Sequence, residues 1–201
     1  MLIIRPEGGL GNRLRTIAAS ITLAREIGCT LRIFWWIGRY SGINTYFTQL
    51  FEKTDEFKLY EASQNAIIPR LLFDSRFPWV YTTTGKKNVE MMCEKIRHQH
   101  GRGVFIASLW ANFMGKPDYS WIKLTGEMDH RVKRAKEALF GDREYIGLHI
   151  RRTDNRADGV KDALIDFMLL AGSKRLYGSY KSSFSEEATN YGGCELISLH
   201  I

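Results

Sequence analysis

A chain of 201 residues, 44% apolar and 12% aromatic, can bury a sizeable core as one large domain or two small ones. No stretch approaches the run of about 18 apolar residues that a membrane span needs, and the start, Met1-Leu2-Ile3-Ile4-Arg5-Pro6, meets charge and proline too soon for a signal peptide, so a cytoplasmic protein is expected. The net charge of +7 asks for an anionic partner, but the basic residues form no sustained tract and no nucleic-acid module, which favours a small anionic ligand over nucleic acid or a membrane surface.

Residues 2–5 read as a short apolar strand, followed by the glycine-rich turn Glu7-Gly8-Gly9-Leu10-Gly11. From Asn12 the pattern changes: Leu14, Ile17, Ala18, Ile21, Ala24 and Ile27 recur at helical spacing, and Gly28 stands where the helix stops. Residues 30–36 form the next strand, which completes a βαβ unit and implies a parallel sheet. A short helix is expected over 46–53, a strand over 57–60, a helix over 88–98 and a buried strand over 104–109. Trp110, Phe113, Tyr119 and Trp121 follow in a loop-like stretch, and the composition of 117–125 suggests a boundary between a first α/β lobe, 1–125, and a second, 126–201.

The second lobe opens with an amphipathic helix over 128–140, with Val132, Ala135 and Leu139 inward and Arg131, Lys133, Arg134 and Lys136 outward. A strand over 145–151, a strongly apolar helix over 160–170, a brief strand over 176–179, a helix over 185–191 and a strand over 195–199 complete the chain. Cys29, Cys93 and Cys194 are widely spaced and odd in number, as expected of reduced structural thiols rather than a zinc site or a disulfide framework.

Three clusters could carry chemistry. Gly8-Gly9-Leu10-Gly11-Asn12-Arg13 lies between a strand and a helix, where free N–H groups and the helix dipole favour an anion. It matches neither the dinucleotide fingerprint nor a phosphate-binding P-loop, so a tight turn that lets helix and sheet pack closely is an equal reading. Arg13 and Arg15, early in the helix, work against its dipole unless an anion offsets them.

In Ile146-Gly147-Leu148-His149-Ile150-Arg151-Arg152-Thr153-Asp154-Asn155, period-two spacing sets Ile146, Leu148 and Ile150 on one face and Gly147, His149 and Arg151 on the other. Arg152 arrives at the strand's C-terminal end, the edge where open α/β sheets bind ligands. Two guanidiniums there can grip phosphate oxygens, and Asp154 can orient one of them or accept from a substrate hydroxyl. A structural Arg152–Asp154 pair beside a core histidine remains the alternative. In Gly178-Ser179-Tyr180-Lys181-Ser182-Ser183-Phe184-Ser185-Glu186, Ser183 and Glu186 have the spacing of a capping box, and the same helix start can cradle a phosphate.

In this order the three clusters, with Ala163-Leu164-Ile165-Asp166 ahead of the last, resemble the fucosyltransferases of the α1,6, α1,2 and protein-O type. The H-x-R-R-T-D stretch is the most specific of them. The resemblance implies a GT-B glycosyltransferase: two Rossmann-like lobes facing a cleft, inverting transfer of fucose from GDP-fucose to a glycan hydroxyl, and no metal, arginines and helix dipoles stabilising the departing diphosphate. It further implies that Arg151 and Arg152 contact the donor diphosphate, Arg151 being the essential one, and that His149 lines the same pocket. Asp166 would face the guanosine, Ser182 and Ser183 would bind phosphate oxygens, and Gly9, Gly11, Asn12 and Arg13 would face the donor from the other lobe. Asp154 and Asp158 are the candidates for the base that takes the acceptor's proton.

One departure from the family pattern bears on completeness. The H-x-R-R-T-D strand runs into the A-L-I-D helix across only Arg156-Ala157-Asp158-Gly159, where the family inserts further βα units of about 30 residues each. The C-terminal lobe is therefore expected to be incomplete, with a segment near Asn155 and Val160 omitted or deleted. A nucleotide-sugar-binding protein without transferase activity is the second reading that follows from it.

Overall fold

The computed structural model describes residues 1–38, 42–63, 80–82, 104–108, 116–150 and 159–200, with 80–82 and 104–108 described through their backbone. The helix expected over 88–98, together with Cys93, Trp110 and Phe113, lies outside the described residues.

Leu2, Ile3 and Ile4 of β1 (Leu2–Pro6) are buried on both faces, as a central parallel strand requires. The chain turns through Gly8, at φ +77°, into α1 (Leu10–Glu26), which starts two residues earlier than its apolar periodicity indicates. Gly28 adopts φ +63° just past the end of α1, and the Cys29 N–H donates to the Ala24 carbonyl, so the expected glycine stop is realised. β2 (Leu31–Ile37) then pairs parallel with β1.

The helix expected over 46–53 is a single 3₁₀ turn, Phe47–Gln49. Tertiary packing overrides it: Phe51 leaves the turn to bridge the backbone of Leu124, while Phe47 and Phe51 pack with Trp35, Phe57 and Trp121 in an aromatic cluster. The Trp35 indole N–H donates to the Thr45 carbonyl at 2.8 Å, which keeps its polar atom satisfied in the core. β3 (Lys58–Ser63), β4 (Val80–Thr82) and β5 (Val104–Ser108) complete a parallel sheet of order β3-β2-β1-β5-β4. Strand order reverses between β1 and β5, so the switch point, where such sheets bind ligands, coincides with the glycine-rich turn that leaves β1.

Thr125 caps α2 (Gly126–Leu139), its hydroxyl accepting from the Met128 N–H at 3.3 Å. The second sheet, order β6-β7-β8 and wholly parallel, is built from β6 (Ile146–His149), β7 (Arg175–Ser179) and β8 (Glu195–Leu199). Its crossovers are α3 (Val160–Ala171) and α4 (Ser183–Gly192). Among the described residues this sheet has three strands against five in the first, the smaller C-terminal half that the sequence implies. None of the described helices is long and apolar enough to cross a membrane.

One amphipathic face departs from the sequence reading, and a second is settled by the structure. Leu139, expected inward on α2, is 57% exposed, because the ion pairs Arg131–Asp162 and Glu127–Lys161 fasten the earlier part of α2 to the first turn of α3 and leave the last turn uncovered. On β6 the side carrying Gly147 and His149 is the covered one, and Ile146, Leu148 and Ile150 are 62%, 60% and 57% exposed. A Cβ on Gly147 would come within 3.0 Å of Leu170, Ser173 and Leu176, so β6 packs closely on that side.

Candidate functional site

α1 is buried along most of its length, polar residues included: Arg13, Thr16 and Ser20 have no exposed surface. The hydroxyls are satisfied within the helix, Thr16 donating to the Asn12 carbonyl at 2.8 Å and Ser20 to the Thr16 carbonyl at 2.6 Å. The Arg13 Nε donates to the Gly8 carbonyl at 3.0 Å, and its guanidinium lies 4.7 Å from the centre of the Trp35 ring. Burial lowers the pKa of Arg13, Glu7 opposing and Arg5 adding to that shift. Arg13 thus fastens the turn from within the core, while Gly9 and Asn12 are only half-buried.

The end of β6 supplies the second part. His149 pairs in register with Gly178 of β7, and a Cβ on Gly178 would lie 2.5 Å from Ser185 Oγ, so glycine leaves the space that the Ser185 side chain occupies. The His149 Nδ1 lies 2.7 Å from Ser185 Oγ and 3.5 Å from Ser182 Oγ, with the Phe184 ring 5.1 Å away. Asp166, at the surface of α3, has its pKa raised by desolvation and by Asp162 and lowered by His149, which places it within the electrostatic reach of the same imidazole.

The two parts meet at the N-terminal turns of α1 and α4. A Cβ on Gly11 would stand 3.0 Å from Phe184 Cα, 3.2 Å from Phe184 N and 3.3 Å from the Ser183 carbonyl oxygen, so the backbone of one helix start rests on the other. Two positive dipole ends and their free N–H groups therefore converge. One turn further on, Arg15 pairs with Glu186 at 2.6 Å and, more closely, with Glu187. The offsetting anion that the sequence asks of Arg15 is thus supplied by α4 itself. Burial pushes the Glu187 carboxyl up, against the charge and hydrogen bond of Arg15 and a hydrogen bond with Asn190.

The capping box expected of Ser183 and Glu186 does not form. Ser182 is the N-cap and its side chain makes no cap bond; Ser183 sits one residue inside the helix, and the Glu186 carboxylate is held by Arg15. A charge-assisted bond to a guanidinium outcompetes a reach back to the helix start. Of the residues singled out from sequence, Gly9, Gly11, Asn12 and Arg13 gather at the start of α1, and His149, Ser182 and Ser183 around the end of β6 and the start of α4, while Asp166 is exposed on α3. Arg151, Arg152, Asp154 and Asp158, with Asn155, lie outside the described residues. Sequence reasoning gave Ser185 no role, cast Glu186 only as a capping-box residue and missed Glu187; a serine one helical turn after Ser182 was the available signal for the first.

No protein-family model and no curated protein matches the sequence. Solved structures do match. An α-1,6-fucosyltransferase NodZ soaked with GDP-fucose is similar over 94% of this chain and 92% of its own, with 16% identity and a TM-score of 0.63. The NodZ fucosyltransferase from Bradyrhizobium gives 93% and 91%, 15% identity and 0.59. A FUT1 variant of Arabidopsis thaliana in complex with GDP is similar over 99% of this chain and 70% of its own, with 12% identity and 0.69. The chain therefore has the α/β, two-sheet GT-B fold of these fucosyltransferases, as the sequence resemblance implied.

Proposed function

We propose that this chain is an inverting, metal-independent glycosyltransferase that moves fucose from GDP-fucose to a hydroxyl of a glycan acceptor. The observation that carries the reading is the contact of Gly11 with Phe184, which brings two helix N-termini together at the switch point of the first sheet, beside His149 and Ser182. Such a junction attracts an anion that spans both halves, and the similar structures solved with GDP or GDP-fucose support GDP-fucose as that anion.

In this reading the half-buried Ser183 and the α4 amides bind diphosphate oxygens, Ser182 adds its hydroxyl, and Gly9 and Asn12 present backbone from the facing turn. Arg13 holds the turn's shape through the Gly8 carbonyl. His149 lines the pocket and Asp166 faces the guanosine. Arg151 and Arg152 follow β6 directly in the chain and stabilise the charge that develops on the departing GDP, the electrostatic part a metal would otherwise take. Asp154 or Asp158 accepts the proton of the acceptor hydroxyl.

Calorimetric titration with GDP, with UDP and ADP as comparators, tests the donor site. Selective GDP binding is expected, weakened about 10- to 100-fold in Arg151→Ala, the range for a hydrogen bond to a charged group. Equal affinity for all three nucleotides, or unchanged affinity in Arg151→Ala, would sink the proposal. The second sheet, three-stranded among the described residues, favours one other outcome, GDP binding with no fucose released to any acceptor, which would make the protein a nucleotide-sugar binder.

A further inference from the structure

His149 is the one imidazole at the junction among the described residues, and what it can do for a ligand depends on which ring nitrogen carries its proton. Its Nδ1 faces the first turn of α4, 2.7 Å from Ser185 Oγ and 3.5 Å from Ser182 Oγ. Both hydroxyls are buried, at 1% and 3% exposure, and they sit one turn apart on the helix. Gly178, in register with His149, lacks the Cβ that would collide with Ser185, so the sheet, the helix and the imidazole are fitted to this contact.

The surroundings of the ring act in opposite senses. From α3, Asp166 favours a positive imidazole. From α4, the positive end of the helix dipole disfavours it and favours a lone pair turned toward the helix. The Phe184 ring covers part of the imidazole, and Ser179 donates to the His149 carbonyl at 3.4 Å. A hydroxyl donating to Nδ1 fits the helix side of this balance and leaves the ring proton on Nε2.

We propose that Ser185 is a positioning residue for His149: its hydroxyl donates to Nδ1, fixes the ring in one rotamer and one tautomer, and so makes Nε2–H the donor offered to a diphosphate oxygen. The ligand half of this statement rests on the donor-site reading above, and the tautomer half does not. Ser185 touches no ligand in this scheme and acts only through the imidazole.

The experiment combines ¹⁵N NMR of ring-labelled histidine with GDP titration of wild type, Ser185→Ala, His149→Ala and the double variant. The signal that disappears in His149→Ala is assigned to His149. In wild type it is expected to report an unprotonated Nδ1 and a protonated Nε2, and in Ser185→Ala an average of tautomers. GDP affinity should fall about 2- to 10-fold in Ser185→Ala, the worth of one neutral hydrogen bond, and not at all when the same change is made in the His149→Ala background. Ser185→Cys fills the same space with a weak donor and serves if the alanine variant unfolds; an intermediate tautomer signal is then expected. A ring signal unchanged by either substitution, or equal losses of affinity in both backgrounds, overturns the proposal. If wild type binds no GDP, the donor-site reading alone falls, and the ring signal still decides whether Ser185 sets the tautomer.

Discussion

Gly9 and Gly11 both belong to the turn that opens α1, yet they meet different surroundings. Gly9 has φ −69° and ψ 173°, which any residue adopts, and nothing lies within 4 Å of where its Cβ would be. Gly11 would push a Cβ to 3.0 Å from the backbone of Phe184, which cannot rotate away as a flexible side chain would. Gly9→Ala is therefore expected to change stability by no more than about 0.5 kcal/mol, and Gly11→Ala to cost about 1–3 kcal/mol. Denaturant unfolding of the two variants checks this; equal losses would mean that the starts of α1 and α4 are not in contact. The sequence cannot separate the two glycines, since the residue that distinguishes them is 173 positions away.

At the scale of elements, α1 and α4 are held together by a buried ion pair as well as by the glycine contact. Arg15 is 4% and Glu187 1% exposed, so removing the arginine leaves a carboxylate with little water to solvate it. Burial already raises the folded-state pKa of Glu187, and without Arg15 it rises further. A carboxyl whose folded pKa exceeds its unfolded pKa holds its proton longer in the folded state. Its penalty is therefore absent below the unfolded pKa and grows as pH rises through the folded one. Arg15→Met should lose about 3–5 kcal/mol at neutral pH and markedly less near pH 4, read as the unfolding midpoint at each pH. A deficit that does not change with pH would show that Glu187 carries no unpaired charge in the variant. The helices themselves were legible because Leu14, Ile17 and Ile21 on α1 and Leu164 and Phe167 on α3 repeat at helical spacing and are all buried. The 3₁₀ turn at Phe47 was not, because the aromatic cluster with Trp121 and the bridge to Leu124 join parts of the chain that local pattern cannot connect. In the site, the glycine turn, His149 and the serine pair could be read from motif, whereas the contact of Ser185 with His149 exists only once α4 packs on β6, and that of Glu187 with Arg15 only once the two halves are packed.

Across the whole molecule the two sheets are treated differently. The first has its central strands buried on both faces, as parallel sheets usually are, whereas in the second both crossover helices, α3 and α4, pack on the side of Gly147, Leu176 and Gly178. The other side carries Ile146, Leu148 and Ile150, with Tyr177, Ile197 and Leu199 half-buried beside them and the Arg175–Glu195 pair at the margin. Apolar side chains that remain more than half exposed have released little of their transfer free energy on folding, so they contribute little to stability. They do form a contiguous apolar surface of the kind that takes up hydrophobic dyes. Replacing Ile146 and Leu148 together by threonine keeps β-branched or strand-compatible side chains at both positions. The double variant should unfold within about 1 kcal/mol of wild type and bind less anilinonaphthalene sulfonate at equal protein concentration. A loss of several kcal/mol would mean instead that these side chains are packed in the folded protein, and that the second sheet is covered on both faces like the first.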